Sequence, residues 1–222
     1  MGLVTHDGAT VYEVLTAECA RTNATVEAEH RQARWVKPPA RPPLSLTPPR
    51  LSPVIDGSLA EWPPTASVTP WTSESLGEGD SCPDRFQVAT DRAYLYLGAS
   101  IRDAHLDDPG ADWEWEGDYL AIYAHPGATE SGDSTALYLY PVGGGPDRSR
   151  PVASFWGGKS PGPGTRISRK NSPGGYTLEA RIPLKGLAGY RPGRHQPWTL
   201  MLNGRDVSGI RESWWEGIVT LP

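Results

Sequence analysis

The sequence predicts an all-β protein, an antiparallel β-sandwich, with an N-terminal helix and an extended proline-rich arm in front of it. Short segments rich in aromatic and β-branched residues alternate with Gly, Pro, Asp and Asn after residue 54, which is typical of a sandwich. Residues 36–53 contain seven prolines in eighteen positions. Residues 10–34 carry apolar residues at helical spacing. We therefore divide the chain into residues 1–35, 36–53 and 54–222.

The first segment is predicted to form a helix over residues 10–34. Thr10 and Glu13 have the spacing of a capping box. The apolar stripe that follows consists of Val11, Val14, Leu15 and Cys19. Because the stripe is narrow, a helix of this kind is marginal alone and needs a surface to pack on.

The proline-rich arm, VKPPARPPLSLTPPRLSP, is predicted to be extended. One interpretation is a passive spacer, and the other is a strap that lies in a groove on a partner. If the helix and arm dock onto a partner, the contacting residues are expected to be Val11, Val14, Leu15, Pro38, Pro39, Pro42, Pro43, Pro48 and Pro49.

The third segment is predicted to be all β. Six strands are indicated by alternation or β-branched and aromatic content, namely FQVAT, YLYLGASI, DYLAIYA, TALYLYPV, YTLEARIPL and WTLMLNG. Just before the third of these lies ADWEWEG, in which Trp113 and Trp115 are two positions apart and would share one face of a strand.

Composition excludes several classes of protein. The net charge is −5 and no Lys/Arg block is present, so nucleic-acid binding is not indicated. No stretch approaches 18 apolar residues, so we expect no transmembrane helix. The first residues lack a basic start followed by an apolar run, so no signal peptide is predicted there, which favours the cytoplasm.

Catalysis is not indicated. The five histidines, His6, His30, His105, His125 and His195, are scattered, and neither GxSxG nor HExxH occurs. Glu114 and Glu116 resemble a glycosidase pair only in composition, because adjacent loop carboxylates are usually solvated. Cys19 and Cys82 lie 63 residues apart with no CxxC, so we expect free thiols rather than a metal site or disulfide.

Five short motifs occur in a fixed order along the third segment. They are VIDGSLAEW (54–62), ATDRAYLYLGASIRD (89–103), WEWEGDYLAIY (113–123), GGYTLEARIPL (174–184) and WWEGIVTL (214–221). Their order resembles that of the family-9 carbohydrate-binding modules. The resemblance implies a carbohydrate-binding-module-like sandwich over about three quarters of the chain.

The resemblance also implies a site in which two tryptophans hold a sugar. Trp115 takes the first position, and Trp214 or Trp215 takes the second. The family's acidic partner falls on Ala121 and its Arg falls near Tyr138, whereas Asn203 stands near a family Gln and can substitute for it. Because hydroxyl-binding sites derive selectivity from such polar groups, their loss weakens the sugar interpretation.

Two cofactors are associated with the family or its wider superfamily. Calcium would use the acidic loop that contains Asp103, Asp107, Asp108 and Asp112, although a solvated loop is the simpler interpretation. Haem b in related electron-transfer subunits is held by Met and Lys, for which Met201 with Lys159, Lys170 or Lys185 is available, but no pairing is indicated. We therefore expect no bound cofactor. The resemblance implies an extracytoplasmic location, against the cytoplasmic indication of the N-terminus.

Three functions remain open at this stage. The preferred hypothesis is a non-catalytic accessory subunit whose N-terminal helix and proline-rich arm dock it onto other chains of a larger assembly, with a membrane-associated electron-transfer complex as one candidate. The second is a glycan-binding module that stacks a sugar between Trp115 and Trp214 or Trp215. The third is a haem b-binding subunit.

Overall fold

A computed structural model of the protein describes residues 2–6, 9–13, 44–68, 71–72, 82–103, 106, 117–127, 135–143, 150–155, 161–206 and 211–222. In these stretches no helix has the length and apolar character needed to cross a membrane. The helical structure found there consists of two short 3-10 turns, Pro64–Ala66 and Leu184–Gly186.

Strands dominate the described part of the chain. In chain order they are β1 (Gly2–His6), β2 (Ala9–Glu13), β3 (Leu44–Leu46), β4 (Ser67–Val68), β5 (Trp71–Thr72), β6 (Cys82–Thr90), β7 (Tyr94–Arg102), β8 (Tyr119–Pro126), β9 (Thr135–Tyr140), β10 (Val152–Phe155), β11 (Arg166–Ser172), β12 (Gly175–Pro183), β13 (Gln196–Asp206) and β14 (Arg211–Leu221). The six strands predicted from the sequence coincide with β6, β7, β8, β9, β12 and β13.

Two sheets form the sandwich. The five-stranded sheet has the order β11-β12-β7-β6-β4, and the seven-stranded sheet has the order β10-β9-β8-β13-β14-β3, with β5 also paired to β14. All named pairs are antiparallel except β3 with β14, which is parallel. The predicted antiparallel sandwich is therefore confirmed, with one parallel strand added at an edge.

The core lies between the two sheets and is built by alternation along each strand. On β12, for example, Tyr176, Leu178, Ala180 and Ile182 are buried in it, while the residues between them face outward. Trp198 and Trp215 are its largest fully buried side chains. Burying rings of this size is a major source of stabilisation.

The predicted N-terminal helix is wrong where it can be compared. Thr10 and Glu13 lie on β2, which pairs with β1 in an antiparallel hairpin that sets Val11 opposite Val4. The local sequence ATVYE is rich in β-branched and aromatic residues, which favour a strand, and this preference outweighs a capping-box spacing. The rest of the predicted helix, including Val14 and Leu15, lies outside the described residues.

The last part of the proline-rich arm packs on the chain's own sandwich. Leu44–Leu46 pair with Gly217, Ile218 and Val219 of β14 in the seven-stranded sheet. Five residues later the backbone N–H of Leu51 donates to the carbonyl of Thr90 in the five-stranded sheet, at 3.1 Å. This segment therefore joins the two sheets across the side of the sandwich.

Two prolines of the arm contact the sandwich, and four others lie outside the described residues. Pro48 is buried, and the carbonyl of Pro49 accepts the N–H of Thr90 at 3.1 Å. Pro38, Pro39, Pro42 and Pro43 lie outside the described residues. Docking onto a partner through these four stays a prediction, whereas Pro48 and Pro49 contact their own chain.

Two of the motifs singled out in the sequence meet on the outer face of the five-stranded sheet. Glu179 of GGYTLEARIPL is fully buried and accepts the backbone N–H of Gly57 at 2.7 Å and of Asp56 at 3.1 Å. Its other oxygen accepts the indole N–H of Trp62 at 2.7 Å. These hydrogen bonds fix the two motifs to each other. The buried carboxylate of one motif needs donors, and the N–H groups of the other need an acceptor.

The loop that contains Gly57 comes very close to β11. Gly57 has a φ of 87°, and a Cβ added there would lie 2.8 Å from the backbone of Arg169 and of Lys170. A residue without a side chain is required both by the left-handed backbone conformation and by this contact.

Candidate functional site

The outer face of the seven-stranded sheet carries one row of residues that runs across six strands. The registers pair Ser154 with Tyr138, Tyr138 with Ala121, and Ala121 with Asn203. They then pair Asn203 with Trp214, and Trp214 with Trp71. Directly opposite residues in neighbouring strands share a face of the sheet, so the positions of this row lie on one face, where Ser154, Tyr138, Ala121 and Asn203 are buried.

Asn203 is the polar centre of this row. Its side chain is 1% exposed, and its amide nitrogen Nδ2 makes no hydrogen bond with any part of the chain that the structure describes. Its neighbour in the register, Ala121, has a methyl group that offers neither a donor nor an acceptor. An unpaired buried amide donor costs about 1–3 kcal/mol, so a group that accepts a hydrogen bond at this point would be strongly favoured.

Tyrosines on β8 and β9 lie beside Ala121, those on β9 on the side away from Asn203. Tyr119 meets Tyr138 edge-on at 5.3 Å between ring centroids, and Tyr140 stacks on Tyr138 at 6.3 Å. The hydroxyls of Tyr123 and Tyr138 share a hydrogen bond of 3.1 Å. Burial and then this hydrogen bond raise the pKa of Tyr138, so its phenol stays neutral. The tyrosine cluster at the position of the family's Arg is therefore uncharged, and Tyr119, Tyr138 and Tyr140 are buried in it.

The structure separates the two tryptophans proposed for the second stacking position. Trp215 is 2% exposed and lies in the core between the sheets. Trp214 is the next residue on β14, and the register pairs its position with Asn203. Trp115, like Trp113, lies outside the described residues, so the first position stays a prediction.

Sequence reasoning missed Trp71. It lies on the two-residue strand β5 and pairs with Trp214 at the end of the row. The surrounding stretch VTPWTSES has no strand pattern of its own, so no local signal marks this position. Only the pairing of β5 with β14, which are about 140 residues apart in sequence, brings the two tryptophan positions together.

The proposed calcium ligands are only partly described. Asp103 is 6% exposed, and its backbone N–H donates to the carbonyl of Gly174 at 3.2 Å. Asp107, Asp108 and Asp112 lie outside the described residues. In the part of the chain that the structure covers, no group of three or more His, Cys, Asp or Glu residues gathers as metal ligands would. The expectation that this loop binds no cofactor therefore stays a prediction.

The candidate haem ligands do not share a surface where they are described. Met201 lies on β13 and, by alternation, faces outward from the seven-stranded sheet, whereas Lys170 is exposed on β11 of the five-stranded sheet. Lys185 is exposed in the 3-10 turn that follows β12, and Lys159 lies outside the described residues. Cys82 begins β6, and Cys19 lies outside the described residues, so the prediction of free thiols is not tested.

Comparison with known proteins agrees with the β-sandwich fold. The family model described as "Carbohydrate family 9 binding domain-like" matches residues 55–217. A family-9 carbohydrate-binding module from Caldicellulosiruptor kristjanssonii in complex with cellotriose superimposes with a TM-score of 0.57 at 16% identity, over 80% of this chain and 93% of that one. A structure of such a module from the same organism with glucose gives a TM-score of 0.52 at 15% identity, over 80% and 95%.

No curated protein sequence is significantly similar to this chain. At these identities the structural matches establish the fold alone, and the family assignment rests on the family model, which covers most of the chain. The matched region begins at residue 55, so β3 and the residues that join the two sheets lie outside it. The chain therefore belongs to the carbohydrate family 9 binding domain-like family, and its sandwich is the fold of that family.

Proposed function

We propose that the protein is a non-catalytic glycan-binding module whose site is the outer face of the seven-stranded sheet around Asn203 and Trp214. The observation that carries this proposal is the unpaired amide nitrogen of Asn203, buried on the same surface as the Trp214 position. A sugar hydroxyl supplies the missing acceptor, while the apolar face of the sugar ring stacks on an aromatic ring.

The site is expected to take a neutral sugar. Tyr138, Ala121, Asn203 and Ser154, which form the row with the tryptophan positions, carry no charge. The tyrosine layer closes the site on one side, so the sugar is confined to the part of the row between Ala121 and Trp71. Trp115 completes the stack in this proposal, and Trp215 is left out because it lies in the core. The relatives with cellotriose and glucose make β-linked glucose oligomers the first ligands to try.

A titration with cellotriose, followed by calorimetry and by tryptophan fluorescence, tests the proposal. We expect saturable binding that Trp214→Ala weakens at least tenfold, because removing the ring removes the stacking surface. Thr220→Ala is the matched control, since Thr220 is exposed on the same strand and faces the same side six residues away. Absence of binding across neutral gluco-, xylo- and manno-oligosaccharides would count against the proposal.

Docking onto a larger assembly is the second proposal. It is now limited to residues 1–43, because Leu44–Leu46 and Pro48–Leu51 contact the chain's own sandwich. Deleting residues 1–43 should release the sandwich from any partner that co-purifies with it, while cellotriose binding is unchanged. Co-purification that survives the deletion would exclude docking through this segment.

We also propose an extracytoplasmic location, because polymeric glycans are met outside the cell. Cell fractionation with an antibody against the folded sandwich tests this. A protein confined to the cytoplasmic fraction would contradict both the location and an encounter with an external polysaccharide.

A further inference from the structure

The outer face of the five-stranded sheet carries a group of cations. On the five-stranded sheet, the outward-facing side chains that the structure describes include five cations, contributed by four strands. They are Arg85 on β6, Arg102 on β7, Arg166 and Lys170 on β11, and Arg181 on β12. The acids described at this face are Glu179, which is fully buried and accepts three hydrogen bonds, the exposed Asp56 of the loop that packs on it, and Asp91, which accepts the hydroxyl of Tyr96.

One pair of these cations lies directly opposite across two strands. Arg166 pairs with Arg181 in the register of β11 and β12, where like charges face each other. Arg181 is held in place, because its guanidinium lies 4.5 Å from the centroid of Tyr94 and its Nε donates to the carbonyl of Gly164 at 3.2 Å. Facing like charges destabilise a sheet, and an anion bound between them would relieve the repulsion.

The other three cations surround a row of hydroxyls on the same face. The registers join Lys170 to Thr177, Thr177 to Ser100, and Ser100 to Arg85. Arg102 follows Ser100 by two residues on β7 and therefore faces the same side. Three strand spacings separate the backbones of Lys170 and Arg85, which is about 14 Å at about 4.8 Å for each spacing.

These cations stand out against the rest of the protein. The chain as a whole has a net charge of −5, and the row opposite, on the seven-stranded sheet, is built from tyrosine, alanine, asparagine and serine. Arg85, Arg102, Arg166 and Lys170 are exposed. A local concentration of positive charge on an acidic protein favours an anionic ligand at that face over the remaining surface.

The side chains between the cations indicate the class of anion. Hydroxyl groups of Ser100, Ser168 and Ser172 occupy the outward positions beside them, while that of Thr177 donates to the carbonyl of Gly57 in the loop that packs on this face. The aromatic rings on this face are not open for stacking bases, because Arg181 covers Tyr94 while Tyr96 and Trp62 are buried. Single-stranded nucleic acids rely on open aromatic rings, whereas acidic sugars need cations and hydroxyl partners.

We propose that the outer face of the five-stranded sheet binds an acidic polysaccharide, with carboxylates or sulfates held by the Arg166–Arg181 pair and by Arg85 and Lys170. This site lies on the opposite side of the sandwich from the proposed neutral-sugar site and does not depend on it. The protein would thus contact two kinds of glycan at once, one on each outer face.

The test compares two variants that each remove three positive charges. The first is Arg85→Gln/Arg166→Gln/Lys170→Gln, which alters the basic face but leaves Arg181 in its contacts with Tyr94 and Gly164. The second is Lys185→Gln/Arg191→Gln/Arg194→Gln, whose residues are exposed in the segment between β12 and β13, off the sheet. Binding to polygalacturonate and dextran sulfate is measured by affinity electrophoresis and calorimetry at 50 and 150 mM salt.

We expect the first variant to bind both polymers at least tenfold more weakly and with a shallower salt dependence, because fewer exposed charges are screened. The second variant should bind within twofold of the unaltered protein, as should Trp214→Ala, whatever that substitution does to cellotriose binding. Equal losses in the two triple variants would show a non-specific charge effect and overturn the proposal. Equally tight binding of a 20-nucleotide single-stranded DNA, or of phosphatidylglycerol vesicles, would overturn the assignment to polysaccharide.

Discussion

The indole N–H of Trp62 donates to the buried carboxylate of Glu179 at 2.7 Å, and so joins the loop before β4 to the outer face of β12. The two residues are 117 positions apart in the chain. The same carboxylate accepts the N–H groups of Asp56 and Gly57, so a single side chain satisfies three donors of that loop. This contact explains why an IDG…W motif and a GGYxxE motif occur together in one sequence.

We predict that removing one of these donors and removing the acceptor lower the free energy of unfolding by different amounts. Trp62→Phe keeps most of the ring but loses one hydrogen bond to a charged group, so the free energy of unfolding should fall by about 1.5–3 kcal/mol. Glu179→Gln should lower the free energy of unfolding further. The NH2 group of the glutamine replaces a carboxylate oxygen, so a donor then faces N–H donors. Urea denaturation measures both; a Glu179→Gln protein as stable as Trp62→Phe would contradict a role for all three bonds.

Gly57 provides a matched test of close backbone approach. Gly57→Ala should lower the free energy of unfolding by about 1–3 kcal/mol, because alanine is strained at a left-handed φ. The loss should be larger still, because the added Cβ would collide with the backbone of β11. Gly174 is the control, since its φ is 74° but an added Cβ would meet nothing within 4 Å. We therefore expect Gly174→Ala to show the conformational cost alone. Equal losses at the two positions would mean that the loop moves away from β11 without cost.

The hairpin between β6 and β7 should respond to acid through Asp91. Its carboxylate accepts the hydroxyl of Tyr96 at 2.6 Å and the N–H groups of Ala93 and Tyr94 at 2.7 Å each. Burial raises the pKa of Asp91, but the hydrogen bond from Tyr96, those from the two backbone groups and one from Ser52 outweigh it and lower the pKa below its ordinary 3.8. Burial and the bond to Asp91 raise the pKa of Tyr96 to about 12, so its hydroxyl remains a donor throughout this range.

The sign of this effect follows from proton binding. Because the folded pKa lies below the unfolded pKa, the unfolded chain binds the proton more readily as the pH falls. The stabilisation by Asp91 is therefore complete above about pH 3.8 and is lost as the pH falls through the folded pKa. Asp91→Asn should be less stable than the unaltered protein at pH 6, with a smaller difference at pH 3. A constant difference across this range would be inconsistent with the lowered pKa.

We predict that the side chain of Asn203 serves cellotriose binding and not stability. Asn203→Leu removes a buried donor that lacks a partner, so we expect the unfolding free energy to be unchanged or to rise by about 1 kcal/mol. Cellotriose binding should nevertheless weaken at least tenfold. Thr199 is on the same strand and face, and Thr199→Val loses the hydrogen bond from its hydroxyl to the Gly127 carbonyl at 2.9 Å. It should therefore lower the free energy of unfolding and leave cellotriose binding unchanged. A marked loss of stability in Asn203→Leu would assign the amide a structural role instead.

The arm should matter for stability only from β3 onward. Deleting residues 1–43 leaves the strand pair with β14 and the bonds to Thr90 in place, so the thermal midpoint of the sandwich should change little. Deleting residues 1–51 removes both, together with buried Pro48, and should cost about 3 kcal/mol or more. Thermal and urea denaturation of both truncated proteins checks this. A large loss on deleting residues 1–43 would show that the earlier residues also stabilise the sandwich.

The sequence by itself determined the sandwich and its family, because alternation along a strand and turn residues between strands are local signals. YLYLGASI and YTLEARIPL carry that alternation so clearly that their strands and inward faces follow from it. The five motifs in order carried the family resemblance that the family model confirms. The local signal failed at ATVYE, where a capping-box spacing and a strand-forming composition point in different directions.

Only the tertiary structure decided which of these residues lie beside each other, because register and sheet order depend on packing between distant segments. It placed Trp215 in the core and Trp214 opposite Asn203, although the two tryptophans are adjacent in the chain. It brought Trp71 to Trp214 and Arg166 to Arg181 through pairings that no local pattern records. It also turned the end of the proline-rich arm onto its own sandwich, since β14 has an edge that Leu44–Leu46 can pair with.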